Sequence, residues 1–451
     1  MQGICCVSDA LRVIERDYMK KGSLLPNGYI PRIVDDQISR KLDYFGAIEV
    51  SGTMWCGKTW SSLAFAESIT RIGSYDVRMA AEADPSIALL GKKPHLIDEW
   101  QDVPTIWDEV RMEVDRNAGE SGAFILTGSS DPQKDKVHHS GAGRIARIRM
   151  STMTLEETGE SSAEVSLQGL FEGVFQPALV QQKLFPLAEI ICRGGWPMLV
   201  SKGIGAADAQ EYLKSYFDAL FDVSIPRRGL NSREAGRAAL ALARNISQSI
   251  TLHTIANDAG FSDVDQKRAA VKSASYLDIL EALYVIQPIS GWDAPIRSKS
   301  RLRVKPKFYF ADPSMAAYLL GANPERLLTD GQTFGLLFES LCIHDLAVYA
   351  SAMQNASSTP LFYYRDSDGL EVDAIIELRD GRWGAFEIKL GESKVSEAAE
   401  NLHRLERKIA LNPAARNPKP SFLAVLVGAG ETARYDKANE VYVIPITALG
   451  R

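Results

Sequence analysis

Eight consecutive residues carry the clearest chemistry in the chain: Gly52-Thr53-Met54-Trp55-Cys56-Gly57-Lys58-Thr59 fit G-x-x-x-x-G-K-[ST] at every fixed position. Glycines let a backbone curl until its N–H groups face phosphate oxygens, and a helix starting at Lys58 adds its positive end. Lys58 is suited to the β- and γ-phosphates of ATP, and Thr59 offers a hydroxyl to Mg2+. With Trp60 and Thr127 these eight residues make the expected nucleotide-contacting set. The flanks, an apolar run before and a helical pattern after, argue against a chance match in a turn.

A second element, Leu96-Ile97-Asp98-Glu99, ends the apolar run HLIDEW. An acid at a strand end beside a phosphate loop can hold magnesium through water, and its neighbour can polarise the attacking water. Asp98 takes the first role and Glu99 the second. Thr127-Gly128-Ser129-Ser130 closes the next run. A hydroxyl there could sense the γ-phosphate or position water; the plain alternative is a strand-end turn. In His138-His139-Ser140-Gly141-Ala142-Gly143-Arg144-Ile145-Ala146-Arg147, an arginine on a glycine-rich loop could reach a phosphate, in cis or from a neighbouring subunit. Arg144 is the first choice and Arg147 the second, against a pair of ordinary surface arginines. Gly194-Gly195-Trp196-Pro197 reads as a structural corner or part of a lid.

The C-terminal part offers another constellation. Asp373 lies fourteen residues before Glu387, a spacing that suits adjacent antiparallel strands, and Glu387 and Lys389 are two apart, on one strand face. Two carboxylates and a lysine on a sheet can bind a metal ion and activate water against a phosphodiester. Glu339, in the preceding helix, could add a third carboxylate. The element order with D…ExK matches a restriction-endonuclease-like architecture; the alternative is a folded remnant whose acids form surface pairs.

Between these sites lies a basic stretch. Arg297, Lys299, Arg301, Arg303, Lys305 and Lys307 are spaced strictly by two with no acid among them. On a strand all six would share a face that tracks a phosphate backbone, although a hairpin turn would divide them between two arms. A lysine-guarded edge strand has the same pattern. Asp265 to Ile286, the candidate recognition helix, brings only Lys267, Arg268 and Lys272, which fits backbone binding without strong sequence specificity.

These residues need scaffolds. The runs AIEVSG (47–52), HLIDEW (95–100) and AFILTGSS (123–130) alternate with the helical patterns KTWSSLAFAESI and VPTIWDEVRMEV, which implies a parallel sheet covered on both faces. From about Ala206 to Leu320 three helices precede a hairpin, the outline of a winged helix-turn-helix. From Gly331 the chain reads helix (334–350), three strands (361–365, 370–378, 383–390), helix (394–411) and two strands (422–427, 441–446).

Composition bounds the rest. The 451 residues exceed one ordinary core. At 45% hydrophobic and 24% charged, the chain is neither disordered nor fibrous. No stretch approaches about 18 uninterrupted apolar residues, which argues against a membrane span, and the N-terminus reaches acids too soon for a secretory signal. The five cysteines are scattered and make neither a disulfide framework nor a zinc pattern, so a reducing, cytoplasmic location is expected. The net charge of −6 hides a basic middle: fourteen Lys/Arg against seven Asp/Glu between Pro226 and Phe310 leave −13 on the remainder.

Taken together, YIPRIVDDQI, GTMWCGKTW, HLIDEWQDVPTIWDEVR, FILTGSS, HHSGAGRIARIRM, GGWP, FYFADPSMAAYLLG, YYRDSDGLEVDAIIEL and AFEIKLG resemble a widespread family of uncharacterised prokaryotic ATPases. That family pairs an AAA-type P-loop domain with a C-terminal domain of unknown function carrying a PD-(D/E)xK nuclease-like pattern. The likeness extends from about Tyr29 over nearly the whole chain. It implies ATP binding through Gly52, Gly57, Lys58, Thr59, Asp98 and Glu99, and a nuclease-like site at Asp373, Glu387 and Lys389. Val372 stands where the motif has proline.

The expectation is therefore an α/β multidomain protein. Residues 1–29 form a leader, either disordered or an extension ahead of an alternative start at Met19. Residues 30–204 form an AAA-type P-loop ATPase domain with a parallel sheet, 205–325 a helical and winged helix-turn-helix domain, and 326–451 a restriction-endonuclease-like α/β domain. Expected catalytic residues are Lys58, Glu99, Arg144, Asp373, Glu387 and Lys389; expected metal ligands are Thr59, Asp98, Asp373, Glu387 and Glu339. ATP and Mg2+ are the expected cofactors and nucleic acid, DNA first, the expected partner, with a homo-oligomer or a protein partner also open. The rival reading is a slow nucleotide-gated switch whose inactive nuclease fold binds a protein.

Overall fold

A computed structural model describes residues 22–117, 119–131, 139–261, 265–295, 297–298, 301 and 304–451. Most of the leader, with Cys5 and Cys6, and also His138, Lys299 and Arg303, lies outside the described residues. The first unit runs α1 (Asp35–Tyr44), β1 (Ala47–Ser51), α2 (Lys58–Leu63), β2 (Ser68–Arg71), α3 (Tyr75–Ala83), β3 (His95–Asp98), α4 (Thr105–Arg116), β4 (Phe124–Gly128) and β5 (Ile145–Arg149). Its strands pair in the order β2-β3-β4-β1-β5, all parallel. β1, β3 and β4 are buried on both faces, and their alternate apolar residues feed two separate cores. Ala47, Ile97, Phe124 and Leu126 face one; Ile48, Val50, Leu96 and Ile125 face the other. A sheet buried on both sides needs helices on both. Because all strands run the same way, Ser51, Asp98 and Gly128 emerge along one edge.

The helix after the phosphate loop is shorter than the apolar spacing of KTWSSLAFAESI suggests. α2 stops at Leu63, and the backbone N–H of Glu67 donates to Pro94 O at 2.9 Å, drawing Ser68–Arg71 onto β3 as an edge strand.

The chain continues through α5 (Leu155–Thr158), β6 (Val165–Ser166), α6 (Leu167–Glu172), β7 (Ala178–Gln182), α7 (Leu184–Arg193), α8 (Pro197–Ser201) and α9 (Ala206–Ala219). A π-helical turn, Leu220–Ser224, joins α9 to α10 (Ile225–Arg227). α11 (Ser232–Arg244), α12 (Leu252–Asp258) and α13 (Gln266–Ala282) pack on one another, and a hairpin of β8 (Ile286–Ile289) and β9 (Lys307–Phe310) follows in the expected order. Then come α14 (Pro313–Leu319) and α15 (Pro324–Thr329).

The last unit comprises α16 (Gly331–Ala352), β10 (Ala356–Arg365), β11 (Glu371–Leu378), β12 (Trp383–Gly391), α17 (Val395–Ala410), β13 (Leu423–Asp436), β14 (Val441–Pro445) and β15 (Leu449–Gly450). Its sheet has the order β10-β11-β12-β13-β14, with only β12 and β13 parallel along that path. β6 and β7, expected within the first unit, pair instead with β15 and β13. By length and composition α16 could cross a membrane, but 67% of its most apolar window is buried here, where it packs on β10 and β12.

Candidate functional site

The phosphate loop leaves β1 at Ser51 and turns back into α2. A Cβ on Gly52 would lie 2.1 Å from Met150 O, so only glycine fits there. Gly57 sits at φ 104°, a left-handed conformation that glycine adopts without strain. Inside the cradle the Lys58 ammonium is almost fully buried and donates to Thr53 O at 2.9 Å. A cradle of this kind with its cation facing inward fits a phosphate chain.

Beside it, Thr59 Oγ1 donates to Asp98 Oδ1 at 2.8 Å and Thr127 Oγ1 donates to the same oxygen at 2.6 Å. The expected cation ligands Thr59 and Asp98 therefore meet, with Thr127 as a third member. Glu99 follows at φ 59°, a left-handed conformation costing a non-glycine residue about 1–2 kcal/mol. The turn aims its carboxylate at Ser129, whose hydroxyl donates at 2.9 Å, and at the Gln101 amide, which also donates. Residues held in sparsely populated backbone regions recur at functional sites, which keeps Glu99 a candidate there. Gln101 carried no motif, and its role appears only once β3 and β4 are neighbours.

The loop is also tied to the next unit. Thr53 Oγ1 lies 2.6 Å from the Tyr216 hydroxyl on α9, in a buried contact. Trp55, at φ 65°, packs tilted against Tyr212 and edge-on against Tyr216, with ring centroids 4.8 and 5.5 Å away. Each such pair is worth about 0.5–1.5 kcal/mol, enough to offset the left-handed backbone. Trp196 and Pro197 of GGWP join the assembly: the Trp196 ring meets Tyr216 at 5.3 Å, and a Cβ on Gly57 would touch Pro197 at 3.3 Å. From the other side, Arg32 donates to Cys56 O at 2.9 Å and to Ser151 O and Thr152 O, and its Nε pairs with Glu157 at 3.0 Å. Trp60 is about half exposed on α2 and takes no part in this stack.

Arg144 and Arg147 lie elsewhere. Arg144 precedes Ile145, which pairs with Ala47 at the start of β1, whereas the phosphate loop leaves the opposite end. Five residues of strand separate the two edges, about 16 Å. Arg144 donates to Asp115 at 2.8 Å, and Arg147 pairs with Glu49 at 3.2 Å. Neither reaches the loop of its own chain.

In the C-terminal sheet, Asp373 and Glu387 each sit one residue beyond the Ala374–Phe386 pair, and the expected triad converges. Lys389 Nζ donates to Glu387 Oε2 at 2.5 Å and to Asp373 Oδ2 at 3.3 Å, and the Ile388 N–H donates to the same Asp373 oxygen at 2.8 Å. Burial, with Asp373 adding to it, pushes the Glu387 carboxyl well above the usual range against the pull of Lys389. Glu387 Oε1 is buried without a hydrogen-bond partner, an open acceptor that fits a cation. Glu339 is committed differently: its Oε1 accepts from Tyr309 OH at 2.7 Å and from Lys307 at 3.2 Å. Burial pushes its carboxyl up to about 7, with Lys307 opposing. Among the described residues no three His, Cys, Asp or Glu side chains are grouped to hold a metal ion, so the C-terminal sheet offers only the pair Asp373 and Glu387.

The basic stretch does not form one face. Lys307 is 1% exposed and pairs with Glu371 at 2.7 Å as well as with Glu339. Arg301 makes two 2.8 Å bonds to Glu377. Arg297 and Lys305 are exposed, while Lys299 and Arg303 lie outside the described residues. The strand holding Lys307 begins at that residue, so alternation does not extend back to Arg297. After β8 the chain docks on β10, with Trp292 N donating to Tyr363 O at 2.7 Å.

Residues 45–159 match an AAA domain, 185–326 a domain of unknown function (DUF8612) and 334–449 a second domain of unknown function (DUF4143). The chain is 25% identical over 364 residues to uncharacterised proteins of Mycobacterium tuberculosis and Mycobacterium bovis, covering 78% of this chain and 72% of each relative. It is also similar to the solved Walker-type ATPase of Pyrococcus abyssi, at 12% identity and TM-score 0.41, over 67% of this chain and 99% of that one. The first unit is an AAA-type P-loop domain, and the match supports ATP binding and hydrolysis there.

Proposed function

We propose that this protein couples its ATP cycle to the binding or processing of nucleic acid, DNA in the first instance. The observation that carries this reading is the Thr53–Tyr216 contact, which ties the phosphate loop to the helical unit. That unit's hairpin is in turn held to the C-terminal sheet by Arg301–Glu377 and Lys307–Glu371. A rearrangement at the loop would be passed along these contacts.

Bound ATP with Mg2+ would supply the phosphoryl group and the charge that makes it transferable. Lys58 would neutralise the phosphates, and Thr59 and Asp98 would hold the ion. Glu99, aimed by Ser129 and Gln101, would take the proton of the attacking water. Nucleic acid would meet Arg297 and Lys305 together with the exposed Arg233, Arg237, Lys267 and Arg268 of α11 and α13, which with the β8–β9 hairpin we read as a winged helix. Asp373 and Glu387 would hold a divalent ion, with Lys389 beside it. The test is cleavage of linear, supercoiled and branched DNA with Mg2+ or Mn2+, with and without ATP, beside Lys389→Ala and Lys58→Ala. Loss of cleavage in Lys389→Ala supports a metal nuclease.

A second reading has its own observation. Lys307 and Lys389 already pair with buried carboxylates of the C-terminal unit, Glu339 on α16 and Glu387 on β12. A cluster so compensated suits a nucleotide-gated switch with a binding-only C-terminal unit. No cleavage under any condition, with slow ATP turnover and tightly held nucleotide, selects it.

A further inference from the structure

We infer that Arg227, at the end of α10, is the arginine of this chain that joins Lys58 in contacting the terminal phosphate of bound nucleotide. The assignment rests on the ATP reading of the phosphate loop. A cleft of about 250 Å³ separates the AAA unit from the helical unit. One wall is Met54 of the loop with Gln101, Asp102, Ser129 and Ser130; Arg227 and Arg228 stand on the other. Gln101 and Ser129 are the two residues that hold the Glu99 carboxylate, so the cleft opens at the hydrolytic end of the loop.

The two arginines differ in what they touch. Arg228 donates from Nη2 to Asp131 O, in the segment that follows β4, and Tyr284 OH donates to the Asp131 carboxylate. That anchors the far wall to the near one. Arg227 is exposed, and among the described residues neither a hydrogen bond nor an ion pair holds it. Asp102 lines the same cleft: burial, reinforced by Glu99, raises its carboxyl, and Arg227 and Arg78 oppose that rise. A guanidinium is always charged and carries a planar fork of donors that matches a phosphate. With no hydrogen bond or ion pair among the described residues, and with Gln101, Ser129 and Ser130 across the cleft beside Asp102, its donors are left for an anion that arrives.

The route from loop to arginine is continuous. α9 touches the loop through Tyr212 and Tyr216, then passes through the π-helical turn Leu220–Ser224 before reaching Arg227. An extra residue in a helical turn shifts the phase of the residues after it, and such turns recur at functional positions. One helical arm therefore runs from the phosphate loop to the cleft that holds Arg227. Arg144, the arginine favoured by sequence, stands at the opposite edge of the sheet.

The test uses the full chain with Mg2+, measuring affinity for ADP and for a non-hydrolysable ATP analogue, alongside turnover. Wild type is compared with Arg227→Ala, Arg227→Lys and Arg144→Ala, each checked by thermal melting. Arg227→Ala should lose about tenfold or more in analogue affinity while ADP affinity stays within about threefold, and turnover should fall by about 10³. Arg227→Lys should recover part of the analogue affinity without the turnover, and Arg144→Ala should match wild type. An Arg227→Ala protein that keeps its preference for the triphosphate, or that loses both ligands equally, overturns the assignment. Wild type that binds neither nucleotide overturns the ATP reading, and the assignment falls with it.

Discussion

The hydroxyls of Thr53 and Tyr216, 163 residues apart, lie 2.6 Å from each other in a buried contact between the phosphate loop and helix α9. Tyr216→Phe removes one partner and leaves Thr53 Oγ1 without a buried mate, a loss of about 1–3 kcal/mol. We expect a melting temperature lowered by several degrees without nucleotide, and weaker nucleotide binding by a small factor. An unchanged melting curve would show that the contact contributes nothing.

Lys58→Ala should weaken ATP binding by about 100-fold or more, because the cradle keeps its shape but loses its cation. The fold should survive, since the ammonium gives up one hydrogen bond, to the Thr53 carbonyl. Titration with a fluorescent ATP analogue decides the matter; near-normal affinity sinks the site.

Glu99→Gln should separate binding from turnover. The amide keeps the shape and can still contact Ser129 and Gln101, but it cannot take a proton. Nucleotide affinity should stay within about threefold while hydrolysis falls by about 10²–10⁴. Equal losses in both would assign Glu99 to binding instead.

Glu49 supplies a pH dependence. It lies in the middle of β1, and burial pushes its carboxyl up to about 7, although Arg147 opposes this. An acid with a raised folded pKa binds its proton more tightly when folded, so stability falls as pH rises from about 4.5 to about 7. Glu49→Gln should be more stable than wild type at pH 8, by about 1–3 kcal/mol, and the gain should vanish near pH 4.5. Chemical denaturation at both pH values measures it; a gain independent of pH would refute the cause.

Lys307→Met tests where the basic stretch ends. If Lys307 were a surface contact for phosphates, its loss would change stability by under about 0.5 kcal/mol. Buried between Glu339 and Glu371, it should instead cost about 3–5 kcal/mol. Adding Glu339→Gln should return part of that loss, as a double-mutant cycle would reveal.

Much of the site is legible from residue order. The loop, the acids after β3 and the threonine after β4 are short-range patterns, and parallel strands bring their ends together without further instruction. The C-terminal elements were readable for the same reason, and Asp373 meets Glu387 because an antiparallel hairpin pairs residues by simple counting. Arg144 shows a rule overlooked: a residue that precedes a parallel strand stands at the edge away from the loop. Lys307 fails differently. Alternation by two reports a shared face only along one unbroken strand, and β9 starts at Lys307 itself. Arg32, Gln101 and Tyr216 carry no local pattern, because each acts on a partner from another element.

Strand β7 belongs by chain order to the first half and by hydrogen bonding to the last. A fragment ending at residue 204 would therefore carry Ala178–Gln182 as a bare ribbon, and one starting at 205 would expose the open rim of β13. Neither piece is a free-standing parcel, so the protein resists dissection at the seam that its sequence suggests. Heat should melt the two halves together, and a nucleotide held at one end should protect the other from proteases.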